Sequence, residues 1–138
     1  MINYSLLFSN LKTRIMTTTE RTRYSDADLD EFKNLITDKL KKAEEELVFY
    51  KNQLAERADG DDAKLKGLDD GNVSTEIERI TQMAARQGKL IKHLQNALIR
   101  IENKVYGVCR ETGKLISKER LRAVPHATLS IQAKMQRK

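Results

Sequence analysis

Residues able to carry chemistry are few and scattered in this chain: one cysteine, Cys109, two histidines, His93 and His126, and the aspartates Asp59, Asp61, Asp62, Asp69 and Asp70. A single cysteine cannot close an internal disulfide. Cys109 and His126 together supply at most two metal donors, against the four that close a structural zinc site. Neither histidine stands beside a nucleophile pattern, and His93 lies within a helical repeat, where it reads as a surface residue. Gly67 and Gly71 sit among aspartates, whose charge repels a phosphate rather than cradling it. No paired carboxylates stand on a rigid scaffold. These patterns point away from an enzyme and toward a protein that works by binding.

Charge gives the binding reading a direction. The 138 residues carry a formal net charge of +6. From Lys104 onward there are nine basic and two acidic residues, a balance of +7, against 17 basic and 18 acidic before it. A basic end on a near-neutral body suits contact with an acidic partner, either nucleic acid or an acidic protein face. Tyr106 is the only aromatic residue after Tyr50, so base stacking has little to work with, and a nucleic-acid contact would rest on phosphates and be salt-sensitive.

These groups must be positioned by helices. Aromatic residues make up 5% of the chain and there is a single proline, a composition poor in sheet formers and turn formers. Ser25 and the acids behind it suit a helix start. Leu29, Phe32, Ile36, Leu40, Ala43, Leu47, Tyr50 and Leu54 then recur at steps of three or four, predicting a helix over 26–58. Thr75 and Glu78 have capping-box spacing. Behind them Ile77, Ile80, Ala84, Gln87, Ile91, Leu94, Leu98, Ile101 and Val105 form a heptad seam whose one polar member is Gln87. Gly107 is expected to supply the left-handed residue that ends this helix. Three glycines and five aspartates fill 59–73, which predicts an acidic loop joining the two helices. Two long helices with one short linker most simply make an antiparallel hairpin, with a parallel dimeric coiled coil as the competing arrangement. After Val105, a turn at 109–113, an apolar and basic stretch at 115–121, the break at Val124-Pro125 and a final short helix within 127–135 are expected.

The C-terminal residues resemble the TraR/DksA family, bacterial proteins that bind RNA polymerase and regulate transcription. The resemblance lies in Tyr106-Gly107-Val108-Cys109, Gly113, Ile116, Arg120-Leu121, Ala123, Pro125, Ala127 and Leu129. The family's pattern there has four zinc-binding cysteines. In this chain Cys109 holds the first of those places, and Thr112, Ser130 and Ala133 hold the other three. The resemblance implies a zinc module whose ligands have decayed, with no cofactor expected although the family usually binds zinc. Hydrogen bonds of Thr112 and Ser130 in the former metal pocket, and packing of Leu115, Ile116, Leu121, Val124, Leu129 and Ile131, are expected to replace the metal.

The family also places two aspartates and an alanine at the hairpin tip, where they reach through the polymerase's secondary channel. Counting back from Cys109 puts Lys66, Asp69 and Gly71 at those places, with Asp70 and Asp62 as further acidic candidates. Arg110, Lys114, Lys118, Arg120 and Arg122 are the candidate anchoring residues on the channel rim.

The expected molecule is all-α: an N-terminal extension over 1–23, disordered and with its true start possible at Met16, then an antiparallel coiled-coil hairpin over 24–105 with its tip at 59–74, then a degenerate zinc-finger-like module and basic tail over 106–138. Its expected function is transcription regulation in the cytoplasm by binding RNA polymerase, without sequence-specific DNA binding or membrane attachment, as a monomer rather than a homodimer. The alternative is a helical nucleic-acid-binding or assembly module acting through its basic end.

Overall fold

A computed structural model describes residues 22–59 and 70–137. The order is α1 (Asp26–Asp59), α2 (Asp70–Glu102), α3 (Lys118–Ala123) and α4 (Ile131–Gln136). Residues 1–21 and 60–69 lie outside the described residues, and with them the expectations for the N-terminal extension, Asp62 and Asp69. Among the described residues no helix is long and apolar enough to cross a membrane.

Residues group into two compact units, one of 34–96 and one that joins the chain up to Lys33 with 97 onward. In the first unit α1 runs against α2 in the opposite sense. Arg57 meets Glu76 at 3.6 Å, while Ala43 lies level with Gln87 and Leu90, so position falls along α2 as it rises along α1. The apolar seam is what holds this pair. Ile36, Ile80 and Leu94 are fully buried and Ala43 nearly so. Leu40, Leu47, Tyr50, Leu54, Ile77, Ala84, Gln87 and Ile91 are half-buried. A two-helix contact covers one stripe of each cylinder, so burial is complete only where the stripe points straight at the partner.

α2 begins at Asp70, five residues before the expected capping box. Asp70 and Gly71 are therefore its first residues rather than loop, and Thr75 and Glu78 lie inside it. At the other end the helix stops at Glu102, earlier than the seam suggests. The left-handed residue there is Lys104, at φ 63°, and not Gly107. Lys104 N–H donates to Ile101 O and Val105 N–H to Arg100 O, both at 3.0 Å, the paired bonds of a Schellman ending. The ammonium of this left-handed lysine bonds Asp26 at 2.9 Å. Val105, expected in the seam, is 49% exposed because the chain has already left the helix.

The second unit packs around aromatic rings. Tyr24, Phe32 and Tyr106 make tilted ring contacts in sequence, with centroids 5.8 Å and 5.4 Å apart. Tyr106 is fully buried, and its hydroxyl donates to Pro125 O at 2.8 Å. Burial pushes its phenol well above the usual value, so it stays a neutral donor. Leu29, Ala97, Ile101, Ile116, Leu121 and Ala127 complete this core. The Tyr24 hydroxyl donates to Ile116 O, tying the segment just before α1 to the C-terminal module. Gly107, at φ +79°, lies directly under that ring: an added Cβ would stand 2.6 Å from Tyr24 Cε2. No side chain larger than hydrogen fits there.

Candidate functional site

The C-terminal module is built on two short helices, each started by a serine. Ser117 Oγ accepts from Arg120 N–H and Ser130 Oγ from Ala133 N–H, the side-chain capping bonds that start α3 and α4. An isolated antiparallel bridge between Val108 and Leu115 closes the turn that carries Cys109. Gly113 N–H donates to Cys109 O and Cys109 N–H to Lys114 O, both at 2.8 Å.

This turn wraps around the Cys109 sulfur. Cys109 is 1% exposed, and Ser130 N–H reaches its Sγ at 3.4 Å. Burial alone would push the thiol up. The Thr112 hydroxyl and the backbone N–H groups of Ser130, Thr112 and Glu111 outweigh it and bring the thiol down to about 6. Cys109, Thr112, Ser130 and Ala133, the four places expected from the sequence, lie close together. Ser130 bonds Cys109 through its backbone and caps Ala133, while Thr112 and Ala133 line one cavity of about 330 Å³ with Glu111, Gln136 and Arg137. Ala133 is buried, and Thr112 Oγ1 also accepts from Lys114 N–H at 3.2 Å.

That donor set does not fit a structural zinc. It offers one sulfur, already surrounded by hydrogen-bond donors, two hydroxyls and a methyl, where tetrahedral zinc takes four thiolate or imidazole ligands. Among the described residues no three His, Cys, Asp or Glu side chains are gathered to hold a metal ion. The module coheres instead through Tyr106, Ile116, Leu121, Ala127 and Ala133. Leu115, Val124 and Leu129 contribute half-buried surface, but Ile131, expected in this packing, is 54% exposed. Met135, on the same face of α4, is 70% exposed.

The five candidate anchoring cations divide. Lys118 pairs with Asp28 at 2.9 Å, Arg122 with Glu31 at 3.6 Å, and Arg120 Nε donates to Leu129 O at 2.8 Å. With Lys104 on Asp26, three cations are thus matched to three acids in the opening turns of α1. Asp26 is held below the usual carboxylate range by the Lys104 hydrogen bond and charge. Exposed pairs of this kind contribute little stability each. Arg110 and Lys114 remain on the exposed surface. Tyr24 and Phe32, which organise the module, carried no functional signal in the sequence beyond their place at the start of α1.

The fold and site together define two long antiparallel helices followed by a small C-terminal module built around a single buried cysteine. Residues 104–134 match the family described as the prokaryotic dksA/traR C4-type zinc finger. The chain is 44% identical over 62 residues to RNA polymerase-binding transcription factor DksA of Caulobacter vibrioides, a match covering 44% of this chain and 44% of that protein. It is 34% identical over 58 residues to general stress protein 16O of Bacillus subtilis, covering 41% of this chain and 36% of that one. The aligned region thus spans less than half the length of these relatives. In fold it is similar to transcription factor DksA2 of Pseudomonas aeruginosa, with a TM-score of 0.74, 24% identity, and coverage of 91% of this chain and 94% of that one. Residues 104–134 are thus similar to that zinc-finger family, and the chain as a whole shares the fold of DksA2.

Proposed function

We propose that this protein binds RNA polymerase and regulates transcription, with the helical hairpin entering the secondary channel and the C-terminal module resting on the channel rim. The observation that carries this reading is the family match across 104–134 on a chain whose two long helices run antiparallel. In this reading the acidic residues around Asp62, Asp69 and Asp70 act at the distal end, where negative charge suits basic groups or the surroundings of a catalytic magnesium. Arg110, Lys114, Lys118, Arg120 and Arg122 make the electrostatic contact at the rim, and Lys118 and Arg120 are also bonded within the chain. Zinc takes no part. The internal pairing of Lys118, Arg120 and Arg122 also weighs against a free cationic surface for nucleic acid.

Co-purification tests the proposal. Tagged full-length protein should recover polymerase in near-stoichiometric amount, and Asp69→Asn with Asp70→Asn should retain binding while altering transcription in vitro. Failure to bind polymerase at low salt defeats the proposal. Steep salt-dependent affinity for free DNA, without polymerase binding, would favour a nucleic-acid module instead.

A further inference from the structure

We propose that the helical arm of residues 34–96 contains a built-in bending point at the level of Ala43, Gln87 and Gly88. Four features fall at this one level. The first is a gap in burial. Ile80 and Leu94 are both 0% exposed, yet no residue between them on α2 is buried. Facing that gap, Ala43 offers α1's only buried side chain beyond Ile36 among the described residues, a single methyl group.

The second is the amide of Gln87. Its Oε1 is buried and accepts no hydrogen bond from the protein. An unpaired acceptor in a helix seam opposes the tight closed packing and favours any excursion that lets water reach it. The third is a notch of about 160 Å³ beside it, lined by Lys39, Lys42, Ala43, Glu46, Gln87 and Leu90. Missing volume removes the van der Waals contacts that would resist displacement of one helix against the other. The fourth is Gly88. An added Cβ there would meet nothing within 4 Å, so no packing contact requires glycine at this position. What glycine does in a helix interior is loosen the backbone.

Weak packing, an unsatisfied acceptor and a soft backbone at one turn, between two fully buried apolar residues, define a local minimum of stability rather than an end that frays. The arm is therefore jointed. Its distal part can tilt while the Ile36 and Leu94 level keeps its register, and water entering the notch satisfies Gln87 as it does so. This property belongs to the arm itself and does not depend on the polymerase reading.

Native-state amide hydrogen exchange on the full chain tests it. Amides of 84–90 should exchange at least tenfold faster than those flanking Ile80 on one side and Leu94 on the other. Gln87→Leu, which gives the seam an apolar member, and Gly88→Ala, which stiffens the helix, should each slow exchange at 84–90 by about tenfold, equivalent to about 1.4 kcal/mol. Amides at 94–96 should change far less. Protection at 84–90 equal to that around Ile80 and Leu94 overturns the inference. So does slowing by either variant that is shared evenly along the arm.

Discussion

Replacing Gly107 by alanine probes the contact on which the C-terminal module is assembled, and Gly113 supplies a matched control. Both glycines have positive φ, +79° and +72°. An alanine in that conformation costs about 1–2 kcal/mol through its Cβ and the neighbouring carbonyl. Around Gly113 nothing lies within 4 Å of an added Cβ, so Gly113→Ala should cost that amount and no more. At Gly107 the Cβ would lie 2.6 and 2.7 Å from two atoms of the Tyr24 ring, and 3.2 Å from a Leu121 methyl. The methyl can give by a few tenths of an ångström; the ring must leave. Its departure breaks the hydroxyl bond to Ile116 O, a loss of about 1 kcal/mol. It also ends the tilted contact with Phe32, worth about 0.5–1.5 kcal/mol. Gly107→Ala should therefore destabilise by about 3–4 kcal/mol, read by urea unfolding at constant m-value. In a Tyr24→Ala background the same change should cost only about 1–2 kcal/mol, a coupling of about 2 kcal/mol in the double-mutant cycle. Equal costs at Gly107 and Gly113, or additive behaviour with Tyr24→Ala, would refute the reasoning.

Two further outcomes follow from the sulfur site. Wild-type protein should melt at the same temperature with and without a chelator and contain no stoichiometric zinc; one zinc per chain would contradict the donor-set argument. Restoring thiols with Thr112→Cys, Ser130→Cys and Ala133→Cys should lower apo stability, by about 1 kcal/mol for the lost Ser130 cap alone. The same variant should take up one zinc, with binding energy on the order of 10 kcal/mol, and melt in a chelator-dependent way. Absence of uptake would mean that the four places do not converge. Cys109 also makes stability depend on pH. Its thiol titrates at about 6 in the folded chain, against 9.0 for a free thiol. Because the folded value is depressed, the stabilisation is full above pH 9 and disappears as pH falls through 6. Stability should rise between those values, with thiolate absorbance appearing near pH 6, and Cys109→Ala should remove both; a flat profile would count against the sulfur nest.

Much of the fold was legible because a helix buries one stripe and the stripe has a period. The steps from Leu29 to Leu54 and from Ile77 to Ile101 located the seam, and the burial of Phe32, Ile36, Ala43, Ile80, Leu94 and Ile101 follows it. Helix ends were less legible. Lys104 took the left-handed position usually held by glycine, where its ammonium also meets Asp26, and sequence spacing carries no record of that partner. Hydrogen bonding by Thr112 and Ser130 around Cys109 was expected from residue types at fixed spacing; what the spacing did not carry is that Ser130 reaches the sulfur through its backbone N–H while its hydroxyl caps α4.

By itself, then, the order of residues determined two long helices, their apolar faces, the excess of positive charge at the C-terminal end and the shortage of metal donors. These depend on periodicity and composition, which are local. The tertiary structure decided which of the basic residues meet acids, by setting Asp26, Asp28 and Glu31 against Lys104, Lys118 and Arg122 across large separations in sequence. It also decided why Gly107 must be glycine, since the ring that fills its Cβ space comes from Tyr24, far away along the chain. Contacts between distant segments are set by how the elements pack, and packing is a property of the whole molecule.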